Sequence, residues 1–359
     1  MLDGTGKLIE SGWAPNPTYA VKPSEIGHVL FGVKELSFLR YKQFELHLFQ
    51  SQTDVLFFFW GNMGSFAGSV SLIHYNIATK KMLVDENVIT DFRELFPLSD
   101  DVNFFTVKDF SCSQKGLSIN FSDSEHSDHF ERHFKIKSEK LNFEGEFTYV
   151  KAKKDEGHFK VEQIVENDPR YFLIGYKEYG MEVKGKGKIG DYELSFDKTN
   201  KSMALFDTGR GVFKYKTSWI WVGFQHFLAD GRRIAINIGA GIKETEQSQS
   251  PEDFMILDGK TFNLQPVVIH SPARDRYHQY QKWSFDTVKN DEVKSPGPLH
   301  LYLDFECESQ LDAGENFFVV KSRLLQCFGR FNGWVTDEQN RRIEIVDAFG
   351  ISEMHYMQL

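Results

Sequence analysis

The sequence has few cysteines: Cys112, Cys307 and Cys327 are the only three in 359 residues, and they lie far apart without a Cys-x-x-Cys spacing. An odd number of scattered cysteines argues against a disulfide framework and is typical of reduced, buried thiols. We therefore expect a reducing compartment and a cytoplasmic location.

Long apolar runs are also absent. The longest, Val55 to Trp60, is far too short to cross a bilayer. The segment Met1 to Lys7 has no basic stretch followed by an apolar one, so no signal peptide is expected. We expect no stable membrane insertion.

The sequence also has no excess of basic residues, because its formal net charge is -9. Proteins that bind nucleic acids or anionic membranes need a basic face, so the charge argues against both partners. Lys184, Lys186 and Lys188 alternate around two glycines, which indicates a solvated edge or turn and does not match a P-loop.

Helical periodicity is almost absent, and apolar and polar residues instead alternate. The alternation predicts strands with one buried face in the ranges 116–122, 141–149, 191–196 and 299–306. Val55 to Trp60 and Trp219 to Phe224 are apolar on both faces and are expected to be central strands. One short helix is predicted from Asp91 to Phe96, after Thr90 as its cap.

Three dipeptides predict tight turns between strands: Asp230-Gly231, Asp258-Gly259 and Asn332-Gly333. Gly and Lys concentrate in the range 178–190, which predicts a boundary between units 1–180 and 181–359. The expected fold is all-β, with two antiparallel barrel or sandwich units packed together and few short helices.

Aromatic residues are abundant, with 34 Phe, 13 Tyr and 6 Trp making 15% of the chain. Aromatic side chains pack well on pleated sheets, which is the commoner reason for such an excess. They also line pockets for apolar or planar ligands, so the composition is compatible with an apolar small-molecule partner.

The densest motif is Asp207-x-x-Arg210-Gly211, followed by Trp219-x-Trp221, a turn, and Asn237 near the end of the next strand. A second set is Gln326-x-Phe328-Gly329-x-Phe331-x-Gly333, then Gly350-x-x-Glu353. Together these resemble an uncharacterised family of the lipocalin-like (calycin) superfamily. That family is distantly similar to carotenoid 1,2-hydratases and to fungal cyclases with two lipocalin-like domains.

The resemblance implies a role for Asp207. In the hydratases an Asp-His-x-x-Gly motif precedes the Trp-x-Trp strand, and its Asp is the proposed general acid for alkene protonation. Asp207 occupies the matching place, but Thr208, Gly209 and Arg210 depart from the hydratase pattern.

The residues themselves leave three roles open for Asp207 and Arg210. Burial in an aromatic pocket would raise the pKa of the Asp207 carboxyl and make it a proton donor near neutrality. A structural ion pair with Arg210 would instead keep the carboxylate ionised. In the third alternative, Arg210 anchors an anionic group of a ligand.

Trp219 and Trp221 have the same parity, so both point to one face of a strand, either for packing or as a wall of a ligand cavity. Asn237 lies opposite the neighbouring isoleucines, as a solvent-facing or bulge residue or as a polar group in the cavity. Glu246 and Glu353 match acidic positions of the resembled family. Glu246 is expected at the surface, and Glu353 as a buried partner of an arginine.

His126, His129 and His133 suggest a metal site only if they share a face. A strand would place His126 opposite the other two, so no metal and no cofactor are expected.

The leading functional hypothesis is binding of a hydrophobic small molecule, such as a lipid, isoprenoid or polyketide-like compound, in a cavity of the two units. An alternative is an enzyme that hydrates, isomerises or cyclises such a ligand, with Asp207 as the acid. A second alternative is a carbohydrate-active β-sandwich.

Overall fold

The computed structural model describes residues 12–14, 41–62, 68–89, 109–152, 158–164, 171–240, 252–271, 282–287, 299–317 and 320–358. All secondary structure in these ranges is β strand apart from turns and bends, so the all-β prediction is confirmed. No helix among them is long and apolar enough to cross a membrane. The chain divides into two compact units, Met1–Phe213 and Lys214–Leu359.

The described residues of the first unit form thirteen strands: β1 Gly12–Ala14, β2 Tyr41–Gln50, β3 Asp54–Asn62, β4 Gly68–Asn76, β5 Lys81–Ile89, β6 Asp109–Gln114, β7 Leu117–Glu125, β8 His129–Ser138, β9 Phe143–Ala152, β10 His158–Ile164, β11 Phe172–Ile189, β12 Tyr192–Phe196 and β13 Met203–Val212. They form one antiparallel sheet in the order β5-β4-β3-β2-β13-β11-β9-β8-β7-β6. β10 and β12 pair with β11, and β1 pairs with β10.

The first sheet curls so that strands far apart in its order face one core. Trp60 on β3 stacks on Phe110 on β6, with ring centroids 4.7 Å apart. Ser138 on β8 donates a hydrogen bond of 2.6 Å to Asp85 on β5. The inward positions carry mostly aromatic and branched side chains, and their burial supplies the main driving force for closing the sheet.

In the second unit, the part of the chain that the structure describes forms nine strands: β14 Lys216–Phe227, β15 Arg233–Ala240, β16 Phe254–Leu257, β17 Lys260–Asn263, β18 Val267–His270, β19 Lys282–Thr287, β20 Leu301–Phe317, β21 Val320–Thr336 and β22 Arg342–Gln358. Their order is β17-β16-β15-β14-β22-β21-β20-β19-β18, and all pairs are antiparallel. The two edge strands β17 and β18 are separated only by residues 264–266, so this sheet also curls towards closure.

The sequence pattern predicted most of these strands. The four alternating segments fall largely within β7, β9, β12 and β20, and both doubly apolar segments lie in internal strands, β3 and β14. Asp230-Gly231 forms the turn between β14 and β15, and Asp258-Gly259 the turn between β16 and β17. The predicted helix from Asp91 to Phe96 lies outside the described residues.

Two local predictions differ from the structure. Asn332-Gly333 is not a hairpin turn but lies inside β21, where the register with β22 shifts between Phe331 and Gly333. Gly333 has φ 149° there, and a Cβ would lie 2.0 Å from the Tyr302 carbonyl oxygen. The glycine therefore serves a bulge with close backbone approach.

The range 178–190, predicted as a boundary, lies mainly within β11, and the two units divide after Phe213 instead. β11 bends at a register shift between Glu178 and Met181, where Gly180 takes φ 71°. The three lysines, which were expected at a solvated edge or turn, are exposed residues along the second half of this strand. The alternation of glycine and lysine is therefore that of a strand with one solvent-exposed face.

Candidate functional site

Asp207 lies on β13, between β11 and β2, on the face opposite the inward residues Ala204 and Phe206. Its register partner on β11 is Lys177, whose ammonium donates a hydrogen bond to Asp207 Oδ2. Both side chains are buried. Burial raises the pKa of the Asp207 carboxyl, and the charge and hydrogen bond of Lys177 oppose that rise.

The ion pair considered with Arg210 is therefore replaced by one with Lys177. Asp207 and Arg210 are three residues apart on a continuous strand, which directs them to opposite faces. Arg210 points inward, and its charge lowers the pKa of Glu45 on β2. The two halves of the Asp-x-x-Arg motif thus serve different sides of the first sheet.

The inward side of the first sheet carries a group of buried and half-buried polar residues that the sequence pattern did not predict. We call these residues the inner polar cluster: Glu45, His47, Asp123, Arg132, Tyr149, Lys151, Tyr176 and Glu178. They come from five strands, β2, β7, β8, β9 and β11, and they share the inward phase of the aromatic core.

Arg132 holds one end of the inner polar cluster together. Its Nε and Nη2 donate to the two carboxylate oxygens of Asp123 at 2.6 and 2.7 Å, a bidentate geometry. Its Nη1 lies 3.5 Å from Glu45 Oε2. Burial raises the pKa of the Glu45 carboxyl, while the charges of Arg132 and Arg210 lower it. The effect of burial is the larger one, so the pKa of Glu45 is raised and its protonated form is favoured.

His47 lies beside Glu45 and is enclosed by aromatic rings. Its ring centroid is 4.8 Å from that of Phe206 and 5.0 Å from those of Phe58 and Trp60. Burial, and then the charge of Arg132, lower the pKa of His47 well below its usual value, so the imidazole is neutral. Its Nε2 is 3.5 Å from Glu45 Oε2, and neither ring nitrogen has a hydrogen bond among the described residues.

Tyr149 is a second buried side chain whose polar atom lacks a hydrogen bond among the described residues. Its ring centroid lies 5.9 Å from that of His47, and its hydroxyl, within the described part of the chain, has no hydrogen-bond partner. Burial raises the pKa of Tyr149 well above its usual value, so the hydroxyl remains a donor. Buried polar atoms are normally hydrogen-bonded, so both side chains have hydrogen-bonding capacity open to a water or another small molecule.

Lys151, Tyr176 and Glu178 form the other end of the inner polar cluster. Tyr176 donates a hydrogen bond of 3.1 Å to Glu178 Oε2, and Lys151 Nζ lies 3.8 Å from the same oxygen. The ammonium of Lys151 also lies 4.6 Å from the Tyr176 ring centroid. Burial lowers the pKa of Lys151 to about 7, although Glu178 opposes the change.

The other predicted site residues belong to the second unit. Trp219 and Trp221 lie on β14 with their side chains opposite to the core residues Val222 and Phe224. Trp221 Nε1 donates to Asn237 Oδ1 at 2.8 Å, and Asn237 Nδ2 donates to the Glu252 carbonyl at 2.7 Å. Asn237 is fully buried and is not a solvent-facing residue.

Glu353 is buried, as expected, and its carboxylate accepts two hydrogen bonds. Trp219 Nε1 donates to Oε1 at 3.1 Å, and Gln326 Nε2 donates to Oε2 at 2.9 Å. The His355 ring packs on Trp219, with centroids 4.4 Å apart, and its Nε2 is 2.9 Å from Ser322 Oγ. Among the described contacts, an indole and an amide donate to this carboxylate. Glu246 lies outside the described residues.

The hairpin between β7 and β8 carries the residues that could hold a metal. The ring centroids of His126 and His129 are 4.3 Å apart, although the strand pattern predicted opposite faces. β7 ends at Glu125, so His126 belongs to the turn and alternation does not govern its direction. One ligand atom from each of His126, His129 and Glu131 lies within 4.8 Å of the others.

Comparison with solved structures gives a match with a TM-score above 0.5, which agrees with the architecture, and further matches below that value. The crystal structure of CghA with Sch210972 matches with a TM-score of 0.52 and 10% identity, covering 100% of this chain and 98% of that one. Kievitone hydratase from Nectria haematococca gives a TM-score of 0.49 and 12% identity over 87% and 88% of the two chains. A putative AttH from Nitrosomonas europaea gives 0.46 and 12% over 89% and 93%.

At these identities the similarity to CghA shows the fold alone. No curated protein matches the sequence. A family match does extend over the whole length, residues 1–359. The chain therefore belongs to the family described as domain of unknown function DUF2804.

Proposed function

We propose that the first unit binds a largely apolar small molecule next to His47 and Tyr149. The observation that carries this proposal is the unused hydrogen-bonding capacity of both side chains, each buried among aromatic rings. Ligand sites commonly combine apolar walls with a few convergent polar groups, and this part of the core has that composition. Arg210, on the same inward side, is a further candidate anchor for a polar group of the ligand.

The fold supports the same conclusion. CghA, with a similar overall architecture, was crystallised with Sch210972, so this arrangement of strands accommodates a small molecule in that protein. All three cysteines are free and buried, which fits the reducing, cytoplasmic setting that we propose.

We assign a different role to the predicted indole site. The N–H groups of Trp219 and Trp221 are engaged by Glu353 and Asn237 within the protein. In this proposal these four residues join β14 to its neighbours β15 and β22, and the ligand contacts belong to the first unit.

The binding proposal is tested on tag-free protein purified from its own cytosol. Native mass spectrometry and solvent extraction should recover a small apolar compound in stoichiometric amount. Farnesol, an isoprenoid probe, should change the fluorescence emission of Trp60, whose ring lies 5.0 Å from that of His47. His47→Leu and Tyr149→Phe should weaken farnesol binding about fivefold or more, since each removes a hydrogen bond worth ~1 kcal/mol or more. Trp221→Phe is the matched control in the second unit.

Two results would reject the proposal. One is protein that carries no compound and does not bind farnesol. The other is equal affinity in wild type, His47→Leu and Tyr149→Phe, with all three folded by circular dichroism.

A second candidate function is acid-initiated chemistry on the bound molecule, and Glu45 is the observation that favours it. A buried carboxyl with a raised pKa, 3.5 Å from a neutral imidazole, can deliver a proton near neutrality. In a hydration, the Glu45 proton would form the new C–H bond and leave a carbocation. Water would add through its oxygen and pass its proton to His47, from which it returns to Glu45.

Asp207 remains the alternative acid that the family resemblance implies, but the Lys177 ammonium favours its ionised form. Farnesol incubated with the protein in D2O separates the two. Reversible alkene protonation incorporates deuterium, which mass spectrometry detects. We expect Glu45→Gln to abolish exchange and Asp207→Asn to retain it. The reverse pattern would assign the acid to Asp207, and no exchange in wild type would reject the enzymatic function.

A further inference from the structure

The turn between β7 and β8 places two imidazoles side by side at the protein surface. The His126 amide donates a hydrogen bond of 2.9 Å to the His129 carbonyl, which closes the turn. The two rings are nearly parallel, with an interplanar angle of 12° and a centroid distance of 4.3 Å. One ligand nitrogen of each ring and one Glu131 oxygen all lie within 4.8 Å of one another, so the two rings can approach the same cation.

Glu131 and His133 follow His129 at intervals of two along β8, so all three side chains have the same phase. Glu131 Oε2 lies 3.4 Å from His133 Nε2 and 3.9 Å from His126 Nε2. Zinc bonds of 2.0–2.1 Å in a tetrahedron place neighbouring ligand atoms about 3.3 Å apart. The observed separations therefore need only small side-chain movements to meet one ion.

In His129 and His133, the Nδ1 atom already has an oxygen partner within the protein. His129 Nδ1 lies 2.8 Å from Asp128 Oδ1, and His133 Nδ1 lies 2.9 Å from Thr148 Oγ1. Metal-binding histidines characteristically donate their second N–H to a carboxylate or another oxygen, which fixes the tautomer and the ring direction. This arrangement leaves the Nε2 atoms of His129 and His133 available as ligands.

The charges around the hairpin are mixed. Lys184 Nζ lies 3.6 Å from Glu131 Oε1, so the lysine occupies one carboxylate oxygen while Oε2 faces the histidines. Imidazole and carboxylate ligands together suit zinc and related divalent transition ions better than calcium or magnesium, which prefer oxygen alone.

We propose that His126, His129 and Glu131, with His133 as the fourth ligand, form a binding site for Zn²⁺ or a similar transition-metal ion on the β7–β8 hairpin. Asp128 and Thr148 are positioning residues that orient the imidazoles. The site is separate from the inner polar cluster, since its ligands lie on the exposed and half-buried side of the hairpin. It does not depend on the small-molecule site proposed above.

The test is a titration of full-length, tag-free, metal-stripped protein with ZnCl2 by isothermal calorimetry at neutral pH. We expect one ion per chain. His129→Ala and Glu131→Gln should weaken binding more than tenfold, and Asp128→Asn about tenfold, because supporting residues typically contribute that much. His270→Ala is the matched control, because His270 is an exposed histidine with Asp286 3.0 Å from its Nε2.

A titration with CoCl2 gives an independent spectroscopic measurement, since coordinated Co²⁺ absorbs visible light according to its geometry. The wild type and His270→Ala should give the same bound spectrum, and His129→Ala should lose it while keeping the wild-type circular dichroism. Absence of stoichiometric zinc binding in the wild type would overturn the proposal. So would equal weakening by His270→Ala, which would indicate unspecific binding by surface histidines.

Discussion

Lys177 on β11 and Asp207 on β13 form a buried ion pair across neighbouring strands, on the face of the first sheet away from its core. The pair keeps two charged groups compatible with burial, because each supplies the counter-charge and hydrogen bond that water would otherwise provide.

Removal of one partner should therefore be costly. Lys177→Met leaves a buried carboxylate without its counter-charge, and we expect the free energy of unfolding in urea to fall by about 3–5 kcal/mol at neutral pH. The double variant Lys177→Met/Asp207→Leu removes both charges and should recover most of this loss. A double variant as unstable as the single one would show that the pair is not the source of the effect.

Lys151 should make stability depend on pH. Its pKa is lowered to about 7 in the folded protein by burial, from the usual value of 10.5. Between these values the unfolded chain binds more protons at this position than the folded chain, so its contribution makes stability rise with pH from about 7 to 10.5. Lys151→Met should remove that rise, measured as urea unfolding at pH 7 and pH 9.5.

The control for this prediction is Lys186→Met, at an exposed position of β11. It should leave the difference between the two pH values as in the wild type. An unchanged difference in Lys151→Met would contradict the assignment of the low pKa to that amine.

The indole of Trp221 and the amide of Asn237 should depend on each other. Trp221→Phe loses the 2.8 Å hydrogen bond and leaves the Asn237 oxygen without this donor, which we expect to cost about 1–3 kcal/mol of unfolding free energy. Asn237→Leu should cost a similar amount or more, since it also frees the Glu252 carbonyl. In the double variant the losses should not add, and full additivity would indicate no coupling.

Gly211 marks a place where two strands approach too closely for a side chain. A Cβ there would lie 2.0 Å from the Phe172 carbonyl oxygen, which belongs to the backbone and cannot turn away. Gly211→Ala should therefore shift β13 against β11 and lower the thermal midpoint by several degrees. Gly187→Ala is the matched control, because its Cβ would find its nearest atom at 3.1 Å, the ring of Phe147. Equal effects of the two variants would argue against this explanation.

The sequence predicted the fold class because period-two alternation depends on local residues only. It could not predict that β2 pairs with β13, since 164 residues separate the hydrogen-bonded Phe44 and Thr208. The inner polar cluster was missed for the same reason. Glu45 and Arg132 lie 87 residues apart in the chain. In the sequence, each alone resembles an ordinary charged residue on the solvent-exposed face of a strand.

The motif residues Trp219 and Trp221 show a second limit of prediction from sequence, which concerns the partners of a side chain. The Trp-x-Trp spacing correctly placed both indoles on one face, because parity is fixed within a strand. Their partners Asn237 and Glu353 come from the two strands that flank β14, and sequence alone does not show this register. At the β7–β8 turn, the sequence pattern was extended one residue beyond the end of the strand, and the direction of His126 was therefore wrong.

The position of β22 has a consequence for biosynthesis. This strand, Arg342–Gln358, follows every other strand of the second unit in the chain, yet it lies in the middle of the sheet between β14 and β21. During translation β14 to β21 emerge first as two groups, β14–β17 and β18–β21, with open edges where β22 will join them. Until β22 leaves the ribosome these edges are exposed to pairing with other chains, so the nascent second unit is where we expect chaperone dependence.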